Sequence, residues 1–581
     1  MANILFYVFL SSSKIERMND ILPSLDDITE SERNNRIFSH LALDKSFIQK
    51  LCNQCSTQFS IDINNKIKNA NLLSNDSNLS PEKRATNALD RFSRISESEV
   101  VTPIWMCQDM INCIGIDELA EIVENNGKIL DLAAKTGEFA YTIFYALKDR
   151  VSVDKLKNCL YAIPTSGATY EFTRRMYEIL GLNLENLANV DKIKAYDLIQ
   201  KDEQGKIDYE RVSKILRQNK AFNSITMNDE IAEGDEMVNF DVVVGNPPYQ
   251  ENISKSEGNK SLSKQLFPWF IIGATKVAKK YVSLITPSKW FTSEGQDGSF
   301  IVLREFAKNN NHFKQIHHFG NSKNVFSDVE IGAVNYFLYK QGYEGNCTFV
   351  NHNGTDTNII ERPLFEDDVD IILSLNQMVN ILRKVKSHPS FETLMTITKG
   401  RNAFGITGKQ EKDVSISHSF EGAYELRCAH EVIKYVKEES ITKNKDIADS
   451  WKVIISKGNG GAGTLSDGKP VAILGKPFIG NNRSVCTDSL IPIGKFNTEA
   501  EAGNLQKYIK TKFLRFMVGI LKVSQNVYQN VYKYVPIQDF TNNSDINWDK
   551  PIAEIDIQLY AKYGFSQEEK DYIESMIKVM E

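Results

Sequence analysis

Asn246, Pro247, Pro248 and Tyr249 are four consecutive residues whose types can hold a flat amine, and they directly follow the apolar run Phe240–Gly245. Two prolines fix the backbone and remove two N–H donors. What remains is an Asn amide, exposed carbonyls and an aromatic face, a set of acceptors suited to a planar group carrying an NH2. The valine-rich run, bounded by Gly and Pro, reads as a buried strand of a parallel sheet. In an open α/β sheet the ligand crevice lies at the carboxyl ends of the strands, which is where this tetrapeptide would sit.

The surrounding sequence supplies such a sheet. From residue 99 to about 340, short β-rich runs alternate with amphipathic helical segments, which argues for βαβ units. Strands are expected at 128–131, 158–163, 240–245 and 281–285, and an antiparallel pair at 316–319 and 332–339. A helix is expected over 138–147, with Phe139, Ile143 and Leu147 on one face, and another over 170–180, closed by Gly181. The stretches 69–80 and 342–363 are polar and read as loops. The fold class is thus α/β: a Rossmann-like sheet domain over 96–345, after a helical N-terminal segment, 1–95. A linker follows at 346–388, then a mixed α+β domain with Gly-rich turns over 389–545 and a helical segment over 546–581.

Bulk properties bound the function classes. A chain of 581 residues is too long for one ordinary core. Scattered cysteines suit a reducing cytoplasm, the expected location, better than a disulfide framework. Cys52 and Cys55 have CxxC spacing with no second pair at zinc-ribbon distance, so no metal is expected. The apolar stretch 4–10 is too short to span a bilayer. Net charge is −6, yet residues 506–534 hold six Lys or Arg and no acid, and 451–490 hold five basic residues against two acidic ones. Such stretches read as solvated faces or, behind a catalytic domain, as a DNA-facing surface.

Between the first expected strand and its helix lies Asp131-Leu132-Ala133-Ala134-Lys135-Thr136-Gly137-Glu138-Phe139. Here the chain resembles the S-adenosylmethionine-dependent amino-methyltransferases, whose first loop reads Asp-Pro-Ala-x-Gly-x-Gly-x-Phe. Asp131, Ala133, Gly137 and Phe139 match; Leu132 replaces the proline and Lys135 the first glycine. Thr102-Pro103 resembles the family's Thr-Pro cofactor element. Ala195-Tyr196-Asp197-Leu198 resembles the element whose Asp accepts from the cofactor's adenine amine. The family's ribose-binding acid after the second strand is absent, and Thr165 stands at that place. The resemblance therefore implies S-adenosyl-L-methionine as cofactor, held by Thr102, Pro103, Asp131, Ala133, Gly137, Phe139, Thr165 and Asp197.

An exocyclic amine of adenine or cytosine is a poor nucleophile, because its lone pair is delocalised into the ring. The resemblance makes the Asn246 side-chain oxygen and the Pro247 carbonyl the acceptors that hold it, with Pro248 stiffening the corner. Tyr249 stacks on a base flipped out of the duplex, and Phe326 resembles the family's second stacking residue. The order of motifs, with a large C-terminal region behind them, resembles the gamma group of DNA N6-adenine methyltransferases of restriction–modification systems. The expected partner is double-stranded DNA, with a nuclease or helicase subunit or polypeptide as further partners. No Pro-Asp then Glu-x-Lys nuclease arrangement occurs in residues 1–100.

Three other readings stay open: N4-cytosine methylation, protein-glutamine methylation, which uses the same Asn-Pro-Pro-Tyr, and a non-catalytic DNA specificity subunit. Gly463–Lys469 has P-loop spacing but is followed by Pro470, where Mg2+ coordination needs a hydroxyl. His317-His318 lacks a carboxylate or cysteine at ligand spacing and reads as structural.

Overall fold

A computed structural model describes residues 2–11, 13–54, 56–75, 78–91, 95, 99–230, 238–252, 263–293, 295, 297–326, 331–354, 356–458, 465, 470–522 and 526–580. The chain divides into two compact units. The first holds Met1–Ser288, Glu294–Val350 and Glu361–Leu364; the second holds Lys289–Ser293, Asn351–Ile360 and Phe365–Glu581.

The first unit is organised by strands β1 (Lys128–Ala134), β2 (Leu160–Pro164), β3 (Phe240–Gly245), β6 (Ala278–Pro287), β7 (Phe313–Phe319) and β8 (Val334–Lys340). A short hairpin of β4 (Gln250–Asn252) and β5 (Ser263–Gln265) follows β3; β9 (Cys347–Asn353) and β10 (Asp356–Arg362) belong to the same sheet, although residues 351–360 count with the second unit. The sheet order is β10-β9-β7-β8-β6-β3-β1-β2. Strands β2, β1, β3 and β6 run parallel, and β8 is inserted antiparallel between β6 and β7. This is the α/β sheet that the sequence predicts. Every residue of β3 is buried, as expected for a valine-rich strand covered on both faces.

Three expectations change. Strand β1 runs three residues past 131, so Asp131 lies within it, opposite Val244 of β3 and Ala162 of β2. Residues 342–363 are not a loop: β9 and β10 form there, with Cys347 and Phe349 alternating inward and the Arg362 guanidinium 4.0 Å above the Phe349 ring. Interleaved Asn and Thr hide that alternation in the sequence. Residues 69–75 continue the helix Thr57–Asn75, because Ile63, Ile67 and Ala70 bury one face and the Asn71 amide donates to the Ile15 carbonyl at 2.8 Å. The helix Ala2–Leu10 is buried with them around Phe172. No helix among the described residues is long and apolar enough to cross a membrane.

The second unit carries two small sheets. Strands β11 (Ser415–Ile416), β12 (Tyr424–Arg427), β13 (Ile433–Val436) and β16 (Ser484–Cys486) are ordered β11-β13-β12-β16. Strands β14 (Trp451–Ser456), β15 (Phe478–Gly480) and β17 (Leu490–Phe496) are ordered β15-β14-β17. Helices Glu499–Lys510, Lys512–Leu521, Ile552–Lys562 and Gln567–Met576 close its core, the first and last opened by Thr498/Glu501 and Ser566/Glu569 capping boxes.

Three of the basic residues counted as surface, Lys452, Arg515 and Lys522, are internal. The Lys452 ammonium donates to the carbonyls of Ile447, Ala448, Ser450 and Asn481 at 2.9–3.0 Å. Arg515 donates to Thr511, Ala472 and Lys510 carbonyls. Lys452 and Arg515 therefore hold the fold together rather than face solvent.

Candidate active site

The site forms where β1 and β3 end side by side. Gly245, with φ 153°, lets β3 pass so close to β1 that a Cβ there would lie 3.3 Å from Asp131 Oδ1 and 3.5 Å from the Leu132 nitrogen. The next residue, Asn246, is thereby set beside the loop that leaves β1. Its amide Nδ2 donates to the Val100 carbonyl at 3.2 Å. One end of the amide is thus fixed, which leaves the oxygen as the acceptor that can meet a ligand.

Between β1 and the helix Glu138–Leu147 the chain turns through Lys135, Thr136 and Gly137. Gly137 caps the helix in a left-handed conformation, φ 81°, and a Cβ there would lie 2.8 Å from Met176, so this glycine is required twice over. Lys135 is not among the left-handed residues, which is why the loop tolerates a side chain where the family has glycine. That side chain turns inward, and its Nζ donates to the same Val100 carbonyl at 2.7 Å. Burial pulls the Lys135 ammonium below its usual range, against the attraction of Glu138, Glu99 and Asp131.

Three buried carboxylates surround this cation. Asp131 accepts from the Ala133 nitrogen at 3.2 Å, and burial, with Glu138 adding to it, pushes its carboxyl well above the usual range. Glu138 accepts from the Thr102 nitrogen at 3.3 Å and from the Thr136 nitrogen and hydroxyl at 3.0 Å. It therefore ties the Thr102-Pro103 segment to the loop. Glu99 accepts from the Thr165 hydroxyl at 2.7 Å at the end of β2. An acid thus lies beside the end of β2 although none follows that strand in sequence, brought there from 66 positions earlier. Neither Glu99 nor Glu138 was singled out from sequence; the signal was an acid three residues before Thr-Pro and one directly after Gly137.

The other expected residues fall as follows. Pro103 caps the helix Ile104–Ile114. Phe139 is fully buried in the core of this unit. Asp197 caps its own turn, accepting from the Lys194 nitrogen at 2.9 Å and the Gln200 amide at 3.1 Å. Pro247 and Pro248 are buried, and Tyr249 is half-buried. Its carbonyl accepts from the Leu266 nitrogen at 3.0 Å, its ring meets Phe267 edge-on at 6.3 Å, and its hydroxyl is buried with no hydrogen-bond partner among the described residues. Burial pushes that hydroxyl's pKa up. Phe326 is buried in the core of this unit, its nitrogen donating to Ser322 at 2.7 Å. His317 stacks on Tyr336 at 4.4 Å, and His318 Nδ1 lies 2.9 Å from the Ser288 hydroxyl. The described residues hold no cluster of three metal-ligating side chains. The P-loop-like segment and Cys55 lie outside the described residues, apart from Leu465.

S-adenosylmethionine fits this donor set. The buried Thr102 hydroxyl oxygen lacks a hydrogen-bond partner among the described residues. Carboxylates of Glu99, Asp131 and Glu138 gather around the Lys135 cation, and the close approach at Gly245 admits no side chain beside them. Such a place takes a ligand with a cationic centre and hydroxyls.

Residues 158–326 match the Eco57I restriction-modification methylase family. An uncharacterised adenine-specific methylase of Mycoplasma pneumoniae is 35% identical over 147 residues, or 24% of this chain, and the match spans 34% of that relative's length. Among solved structures, a nuclease-deletion mutant of the Type ISP restriction-modification enzyme LlaGI, in complex with a DNA substrate mimic, aligns with a TM-score of 0.50 at 12% identity. That alignment covers 92% of this chain and 52% of LlaGI. The DrdV–DNA complex aligns with a TM-score of 0.47 at 11% identity over 94% of this chain and 66% of DrdV. The chain shares the fold of the part of LlaGI that it aligns with; residues 158–326 are similar to restriction-modification methylases, and a stretch of 147 residues is similar to an adenine-specific methylase.

Proposed function

We propose that this chain transfers a methyl group from S-adenosylmethionine to the N6 amine of an adenine flipped out of duplex DNA, as the modification activity of a restriction–modification system. One observation carries the reading: the Asn246 amide is anchored to the Val100 carbonyl at the carboxyl end of β3, beside the acid-lined loop of β1. The family match and the adenine-specific relative support it.

When bound, the cofactor supplies an electrophilic methyl carbon on a sulfonium. The rest is done by the chain. Thr102, Asp131 and the Gly137 turn hold the amino-acid end of the cofactor, Glu99 with Thr165 takes its ribose hydroxyls, and Asp197 accepts from its adenine. Asn246 Oδ1 and the Pro247 carbonyl accept the two N–H bonds of the target amine, so that its lone pair is freed from the ring. Tyr249 stacks on one face of the base and Phe326 lines the other. Proton abstraction before transfer is unnecessary, because the amine becomes acidic once it carries a fourth substituent. Orientation in such a site contributes up to about 10 kcal/mol.

The domain assignment follows the same reading: a methyltransferase domain at 96–345 and a target-recognition domain at 389–545. The test is incubation of the purified chain with labelled S-adenosylmethionine and mixed-sequence DNA, followed by nucleoside analysis. Label in N6-methyladenine supports the proposal. Label in N4-methylcytosine, or in added protein instead of DNA, replaces the substrate.

A further inference from the structure

The second unit contains a cleft of about 1040 Å³ that the transfer chemistry leaves unused. Arg427, His430, Glu431, Lys457, Lys476 and Phe478 are among its lining residues. One wall is the tip of the β12–β13 hairpin, closed by a 2.9 Å bond from the Cys428 nitrogen to the Val432 carbonyl.

That tip is strained. His430 and Glu431 are consecutive left-handed residues, at φ 58° and 61°, and neither is glycine. Strain of this kind persists only where the surrounding structure enforces it, and it gathers at ligand-contacting positions. Both side chains are exposed, as are the apolar Val432 and Ile433 that follow. The tip thus holds an outward-facing set of side chains in a fixed conformation.

Charge narrows what it faces. Arg427, Lys457 and Lys476 make the cleft cationic, and two of these cations are braced. The Arg427 guanidinium lies 5.4 Å from the Phe478 ring and is ion-paired with Glu425, while Lys457 Nζ lies 5.8 Å from the Tyr528 ring. Glu431 stands among them with no ion pair among the described residues. On a surface that meets phosphates, a carboxylate is repelled. The neighbouring cations favour it within the cleft, but against DNA it needs a hydrogen-bond donor, and those that the duplex offers in its major groove are the exocyclic amines of cytosine and adenine.

We propose that the cleft reads one G·C pair in the major groove, Arg427 donating to guanine O6 and N7 and Glu431 accepting from cytosine N4. The inference rests on the proposed DNA substrate and goes beyond it to the residues that select sequence. The tip of the β12–β13 hairpin, beyond the strands that flank it, is the part that enters that groove, and a planar guanidinium already braced by a ring and a carboxylate is suited to bidentate contact with guanine. Lys457 and Lys476 take backbone phosphates.

The experiment maps the methylated motif of the wild-type chain on a randomised plasmid library, then repeats it with Glu431→Gln. Glutamine keeps the size of the side chain but pairs with adenine rather than cytosine, and the exposed position does not threaten folding. The expected result is a motif relaxed at a single G·C position. Equilibrium binding should show discrimination at that pair falling by roughly 10- to 100-fold while cofactor affinity is unchanged. Arg427→Gln should relax the same or the adjacent position. An unchanged motif with Glu431→Gln, or equal weakening on every sequence, overturns the inference while leaving the proposed function intact. A wild-type chain that methylates no DNA overturns both.

Discussion

Lys452 and Lys135, one in each unit, are buried in opposite ways. Lys452 gives its ammonium to four backbone carbonyls; its pKa is pulled down to about 7 by burial, and no carboxylate lies in hydrogen-bond contact with it. Lys135 gives its ammonium to a single carbonyl and sits among Glu138, Glu99 and Asp131. Saturated by main chain, the first has nothing left to offer a ligand. The second stands in a surplus of negative charge, beside an orphaned Thr102 hydroxyl and an anchored Asn246 amide. A buried charge is structural when the backbone exhausts its bonds, and it marks a ligand place when its neighbours still have bonds to make.

The contrast can be broken by substitution, and the largest effect is expected at the close approach. Gly245→Ala puts a methyl group against Asp131 and strains the backbone at a positive φ. Methyl transfer should fall by about 100-fold, the cost of a displacement of roughly 1 Å at a reacting centre, beyond the roughly 1–3 kcal/mol that backbone strain removes from thermal stability. A variant with full activity would show that the corner has slack. Lys452→Met should do the reverse: a loss of about 3 kcal/mol in urea unfolding, from carbonyls left without a donor, with cofactor affinity measured by calorimetry unaltered.

Smaller effects sharpen the comparison. Tyr249→Ala should weaken capture of the flipped base by roughly 10-fold, the scale of one base–aromatic stack, read as a reduced 2-aminopurine signal on DNA binding. The smallest effect concerns pH. The raised Asp131 carboxyl holds its proton above the usual carboxylate range. Binding of a cationic cofactor favours its ionised form, so a proton is released on binding and affinity should rise with pH through that titration. Asp131→Asn should flatten the slope; a slope that persists would assign it to another group.

Legibility in the sequence followed the distance over which each contact acts. The strand Phe240–Gly245 and the corner after it could be read because valine content, Gly and the two prolines act locally. Gly181 as a helix stop is likewise local, and it is left-handed at φ 67°. The carboxylates that complete the site escaped because Glu99 and Glu138 reach Thr165 and Thr102 across 66 and 36 positions. Lys135 was visible as a departure from the family loop, but only the fold shows it turned inward to Val100. The basic residues of the second unit misled for the same reason, since a count of charges does not reveal that Lys452 and Arg515 are buried.

In the proposed reaction Asn246 Oδ1 holds the target amine while Nδ2 stays on the Val100 carbonyl, and the residue takes no part in holding the cofactor. The most direct test of this assignment is a single-turnover assay of wild type and Asn246→Ala on the mapped DNA site, with nucleosides identified by mass spectrometry and cofactor binding measured in parallel. The expected result is N6-methyladenine from wild type, transfer lower by about 10²–10³-fold in the variant, and cofactor affinity preserved. Wild-type turnover in Asn246→Ala, or loss of cofactor binding together with activity, would contradict it.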